Sequence, residues 1–142
     1  MNPRRAGTLG ACDANTSEGD MPRIVIAEDD PDTRELICCA LRPIAGEVRE
    51  AASGLELLEL IAHDGPFDLI VTDLAMPQVD GVRAIAMVRN AGVHTPILLV
   101  TAYPPESASE NGLTSALFGN VQLVRKPFAL AALREAAVAL MT

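Results

Sequence analysis

Six residues in this chain have side chains suited to work on a charged substrate: Glu28, Asp29, Asp30, Asp73, Thr101 and Lys126. All lie at the end of a short apolar run. Ile24–Ala27 leads into Glu28-Asp29-Asp30, Leu69–Thr72 into Asp73, and Ile97–Val100 into Thr101. Val121–Arg125 leads into Lys126, the only lysine of the chain. Such runs read as buried parallel strands. Groups at the carboxyl ends of parallel strands in an open α/β sheet share one crevice. A carboxylate cluster, a lone aspartate, a hydroxyl and an ammonium are therefore expected to converge. That set suits the binding of a cation and the handling of a phosphoryl group.

Each candidate has a plainer reading beside the chemical one. Packed carboxylates raise one another's pKa unless a cation relieves them. Mg²⁺ takes one or two carboxylates, keeps several waters and accepts phosphate oxygens. Asp29 is assigned to such a metal. Asp30 stands before Pro31 and is better read as a helix N-cap. Asp73 ends a strongly apolar strand, where a carboxylate needs a reason. Nucleophilic attack on phosphorus, giving an aspartyl phosphate, supplies one. The alternative is an Asp capping the next loop, which its partners at equivalent strand ends make weaker. A strand-end Thr is usually structural, but Thr101 could donate to a phosphoryl oxygen. Lys126 offers a point charge for the same group. Ten of the eleven basic residues are Arg, which weakens its reading as an ordinary surface lysine. His63 and His94 read as structural or solvated.

These residues need elements to hold them. From Pro22 the pattern alternates strand and helix, which predicts a parallel sheet with helices on both faces. Strands are expected over Arg23–Ala27, Glu47–Ala51 (an edge), Phe67–Thr72, Ile97–Val100 and Val121–Arg125. Helices are expected from Pro31 to about Leu41, after the cap Ser53, from about Gly81 to Asn90, weakly over Glu106–Phe118, and over Leu130–Leu140. His63-Asp64-Gly65-Pro66 reads as a stop and turn, and Ala91-Gly92 closes the third helix. Five strands and five helices place the chain close to the flavodoxin-like, doubly wound order 2-1-3-4-5. Residues 1–21 lack periodicity and read as a flexible extension, leaving one domain over 22–142.

The chain has 142 residues, 49% of them hydrophobic, enough for a real core. Its apolar stretches are too short to span a bilayer. A net charge of −8 without a basic patch argues against direct nucleic-acid binding. Three Phe, one Tyr and no Trp give no base-stacking platform. Three cysteines in no metal or disulfide spacing fit a reduced, cytoplasmic setting. Leu9-Gly10-Ala11-Cys12 resembles a lipoprotein cleavage box but lacks an adequate apolar region before it, so no signal sequence is expected.

The motifs, taken in order, resemble the receiver domain of two-component response regulators, the CheY-like fold. They are Ile24-Val-Ile-Ala-Glu28-Asp29-Asp30-Pro31, Asp68-Leu-Ile-Val-Thr-Asp73-Leu-Ala-Met76-Pro77-Gln-Val-Asp80-Gly81, Leu98-Leu-Val-Thr101-Ala102 and Arg125-Lys126-Pro127-Phe128. The match covers roughly Arg23 to Leu140. The resemblance implies that Asp73 is the phosphoacceptor. It implies that Asp29 and Asp73 ligate Mg²⁺ with the backbone carbonyl of Ala75, and that Glu28 assists through water. Thr101 and Lys126 would engage the phosphoryl group, and the Lys126–Pro127 bond would be cis. The donor would be a histidine kinase or a histidine phosphotransfer protein, with small acyl phosphates as further donors. The domain would catalyse its own phosphorylation and dephosphorylation without being an enzyme otherwise. A homodimer through the face of its fourth and fifth helices is compatible with the fold.

Three departures from the family pattern stand out. The switch aromatic of strand five falls at Leu123. The segment between Thr101 and Lys126 is long and begins with Pro104-Pro105. Tyr103 stands two residues past the switch threonine, where it is expected to lean over the site and slow loss of the phosphoryl group. Two other readings compete. A haloacid-dehalogenase-type phosphatase would need an Asp where Ala75 stands. A pseudo-receiver, a binding module that does not use phosphate, is opposed by the intact acidic cluster and kept alive by Leu123.

Overall fold

A computed structural model describes residues 21–73, 81–102 and 120–142. The elements run β1 (Arg23–Ala27), α1 (Pro31–Leu41), a 3-10 turn (Arg42–Ile44), β2 (Glu47–Ala51), α2 (Gly54–Asp64), β3 (Leu69–Thr72), α3 (Gly81–Asn90), β4 (Ile97–Thr101), β5 (Val121–Arg125) and α4 (Leu130–Met141). The strands form one parallel sheet in the order β2-β1-β3-β4-β5. This is the expected doubly wound arrangement. Four of the five expected helices are described. The weak helix over Glu106–Phe118, the loop of Pro77, the Tyr103 segment and the extension up to Asp20 lie outside the described residues.

The alternation of side chains along each strand divides the core in two. On one face Ile24, Ile26, Leu69, Val71, Leu98 and Val100 pack against Ile37, Cys38 and Leu41 of α1 and Leu133 and Ala137 of α4. On the other, Val25, Ala27, Ile70, Ile97 and Leu99 pack against Leu57 of α2 and Ala84, Ile85 and Val88 of α3. Every residue of β3 and β4 is buried, as a central strand covered on both faces requires. Burying each large aliphatic side chain contributes about 1.5–3 kcal/mol. The edge strands β2 and β5 are only partly covered.

Local signals set the helix ends. Asp30 caps α1: its Oδ2 accepts from the Thr33 N–H at 2.9 Å, and Pro31 takes the first helical position. Ser53 Oγ accepts from the Glu56 N–H at 3.1 Å, and Glu56 Oε1 accepts from the Ala52 N–H at 2.8 Å. This is a capping box shifted by one residue. Gly92, with φ +86°, lets the chain leave α3 in the left-handed region.

The differences from the sequence reading are small. β3 begins at Leu69 rather than Phe67: the Arg23 N–H donates to the Asp68 carboxylate at 2.7 Å, and Phe67 packs beneath the Arg23 guanidinium, 4.6 Å from its ring centroid. β4 runs one residue further, to Thr101, held by its register with Arg125. The Lys126–Pro127 bond is cis, as the resemblance implied, and so is Gly65–Pro66, which no sequence signal had marked.

Candidate functional site

The site lies where the central strands stop. β1 hands over to Glu28, whose N–H donates to the Ala51 carbonyl at 3.0 Å, so the sheet continues one residue past the strand. β3 hands over to Asp73 in the same way, its N–H donating to the Ala27 carbonyl at 3.2 Å. β5 hands over to Lys126, whose N–H donates to the Thr101 carbonyl at 2.9 Å. Three backbone bonds thus fix the strand-end residues before any side chain acts.

The side chains then converge. Lys126 Nζ donates to Glu28 Oε1 at 2.8 Å and to Asp73 Oδ2 at 2.7 Å. The other Glu28 oxygen accepts from the Asp30 N–H at 3.1 Å. Glu28 and Asp73 are 1% and 6% exposed, while Asp29 is open to solvent. One carboxylate oxygen from each of Glu28, Asp29 and Asp73 falls within 4.8 Å of the others. Thr101 is buried at the end of β4 and meets the cluster through the backbone bond to Lys126. Ala75, expected to offer a carbonyl, lies outside the described residues.

Burial raises the Glu28 carboxyl above its ordinary value, and the hydrogen bonds from Lys126 and the Asp30 N–H offset only part of that cost. Burial also disfavours the Lys126 charge, but the hydrogen bonds with Asp73 and Glu28 outweigh it and hold the ammonium above its usual range. The ammonium therefore stays charged while shared between two acids. Asp30 is different in kind. Its hydrogen bonds with the Thr33 hydroxyl and N–H lower its pKa, and both belong to the helix cap.

Three carboxylates against one ammonium leave a formal charge of −2. The donors are all oxygens, two of them on fixed strand ends and one facing water. This set fits a hard divalent cation that retains part of its hydration shell.

One member of the site was not marked by sequence reasoning. Arg34 Nη1 donates to the Glu28 carbonyl oxygen at 2.8 Å, and its Nε donates to Glu50 Oε1 at 3.1 Å. Its signal was positional: Arg34 falls one turn into the helix that the acidic triplet opens. Leu123, at the place expected for the switch aromatic, pairs in register with Leu99 and packs on the face of the sheet that carries α2 and α3. Strand alternation puts Thr101 on that face too.

With this geometry in view, the comparisons with known proteins agree on one class. The family model described as "Response regulator receiver domain" matches residues 24–138. The chain belongs to that family: it is a receiver domain of the kind found in two-component signalling. It is 37% identical over 108 residues to the response regulator MprA of Mycobacterium ulcerans, covering 76% of this chain and 45% of MprA. It is 32% identical over 114 residues to the transcriptional regulatory protein TrcR of Mycobacterium tuberculosis, covering 80% of this chain and 43% of TrcR. The chain therefore spans less than half the length of these curated relatives. Among solved structures it resembles the response regulator TrrA of Thermotoga maritima in complex with Mg²⁺ and BeF, with a TM-score of 0.71 and 28% identity over 84% of this chain and 99% of that one.

Proposed function

We propose that this domain, over residues 22–142, accepts a phosphoryl group on Asp73 from a histidine kinase or a histidine phosphotransfer protein. The observation that carries the reading is the Lys126 ammonium bonded at once to Asp73 and Glu28. Asp73 is the nucleophile. Its carboxylate oxygen attacks phosphorus in line with the bond to the donor's nitrogen, which leaves with the donor. Glu28, Asp29 and Asp73 would hold Mg²⁺, with the Ala75 carbonyl completing the set. The ion would supply charge neutralisation between carboxylate and phosphoryl oxygens.

The protein's own groups do the rest. The strand-end backbone bonds fix Asp73, so little reorientation is needed before attack. Lys126 already stands against the Asp73 carboxylate and would follow the new phosphoryl oxygens as a point charge. Thr101, at the end of the adjacent strand, would donate its hydroxyl to the same group. Drawing these two residues toward the phosphoryl group would bias a surface around β5 and α4 between two arrangements. That surface is where an output partner or a second copy of the chain would dock.

The mycobacterial relatives named above carry more chain than this one. Any activity on nucleic acid is assigned here to such further chain, since the net charge of −8 disfavours it in these residues.

Incubation with acetyl phosphate and Mg²⁺, followed by intact-mass measurement, tests the reading. The wild-type chain should gain one phosphoryl group and Asp73→Asn none. Beryllofluoride should bind the wild type only. A wild-type chain that accepts neither, beside a control receiver that accepts both, overturns phosphoacceptance in favour of a pure binding module.

A further inference from the structure

We propose that Arg34 is a positioning residue for the cation site, holding the Glu28–Asp29 peptide in place from outside the carboxylate cluster. The inference rests on the reading above that Glu28, Asp29 and Asp73 take Mg²⁺. Asp29 is the one exposed member of that trio, and its side chain has no hydrogen-bond partner among the described residues. Its place is therefore set by the backbone that carries it.

That backbone is gripped on both sides of Glu28. The Glu28 N–H donates to the Ala51 carbonyl of β2, and the Glu28 carbonyl accepts from Arg34 Nη1 at 2.8 Å. This carbonyl belongs to the peptide unit that ends in the Asp29 nitrogen. Since a peptide unit is planar, holding its oxygen restricts where the Asp29 Cα can lie.

Arg34 is itself fastened. Its N–H donates to the Asp30 carbonyl at 2.8 Å in the first turn of α1. Its Nε reaches Glu50 on β2, the residue in register with Ile26 of β1. One planar guanidinium thus joins the edge strand, the capped helix and the strand end. A lysine ammonium carries its three donors on one rotatable nitrogen and cannot reproduce the two fixed directions of the guanidinium plane. Outer partners of this kind typically change metal affinity by about 10-fold or more.

The test is Mg²⁺ titration of the full chain by calorimetry, with amide chemical shifts of residues 28 to 34 as a second readout, beside thermal melts without Mg²⁺. Arg34→Met and Arg34→Lys should each weaken Mg²⁺ binding by about 10-fold. Glu50→Ala should weaken it less, in the same direction. Arg42→Met removes the same charge from an exposed position at the far end of α1 and should leave affinity unchanged. If Arg34→Met does not fold, Arg34→Lys and Glu50→Ala decide. Wild-type affinity in the folded Arg34 variants, or equal weakening in Arg42→Met, overturns the positioning role alone. Absence of Mg²⁺ binding by the wild-type chain overturns the cation reading and this inference with it.

Discussion

Lys126 Nζ stands 2.7 Å from Asp73 Oδ2, a contact closed across 53 residues of chain. The same nitrogen is held by Glu28, so a single ammonium is the shared counter-charge of two buried acids. Removing it should leave both facing each other in a water-poor site. Lys126→Met is expected to lower stability by about 1–3 kcal/mol, the usual cost of a buried polar group losing its partner. Added Mg²⁺ should then restore more stability to the variant than it adds to the wild type, because the ion replaces the missing charge. Urea denaturation with and without Mg²⁺ measures both. A variant as stable as wild type without the ion would contradict this account of the cluster.

Acid should loosen the fold through the edge strand. Burial alone would raise Glu47, but its hydrogen bond and attraction to Arg23, with the charge of Arg49, pull its pKa below the ordinary 4.5. A depressed folded-state pKa means stability that is present above the unfolded value and lost as pH falls through the folded one. Glu28 works in the opposite sense, since its raised carboxyl favours the folded state when protonated. Glu47→Gln should therefore flatten the acid side of the stability–pH curve below about pH 4.5. Denaturation midpoints between neutral pH and pH 3 check this. A variant curve as steep as wild type would place the acid sensitivity elsewhere.

The start of α2 depends on one hydroxyl. Ser53 Oγ satisfies the Glu56 N–H, which otherwise has no partner within the helix. Ser53→Ala should cost about 1 kcal/mol, and Ser53→Asp, which keeps an acceptor, much less. Chemical denaturation of the two variants is the measurement. Equal losses in both would mean that packing around the buried Ser53, not capping, sets its contribution.

The adjacent thiols should behave differently. Cys38 is fully buried, and burial together with Glu50 pushes its pKa up to about 11. Cys39 is exposed on the next position of α1. Reaction requires the thiolate and access to it. Under native conditions an alkylating reagent should label Cys39 and spare Cys38 until the chain is unfolded. Peptide fragmentation after timed labelling reads the two sites separately, and comparable early labelling of Cys38 would show that α1 opens locally.

The sequence made Glu28, Asp73 and Lys126 legible because buried parallel strands must end somewhere, and a charged residue at such an end is conspicuous. Asp30 was legible as a cap from Pro31 alone. Arg34 was not, because it is one of ten arginines. Its reach to the Glu28 carbonyl depends on how α1 leans over β1, which no local spacing encodes. The grip of Lys126 on Glu28 was also invisible, since position alone predicted only an ammonium nearby. The late start of β3 was not legible either, since it goes with the Arg23 guanidinium stacked over the Phe67 ring, a contact 44 residues apart in sequence.

The order of charges along the chain has a consequence for synthesis. The acids are made first, at positions 28, 29 and 73, and their ammonium comes 98 residues after Glu28. A ribosome releasing this chain exposes the acidic crevice before β5 exists to quiet it. Emerging chains that lack β5 should thus hold an open, anionic pocket. Docking of β5 closes it, so the site is complete only once residue 126 has been made and placed.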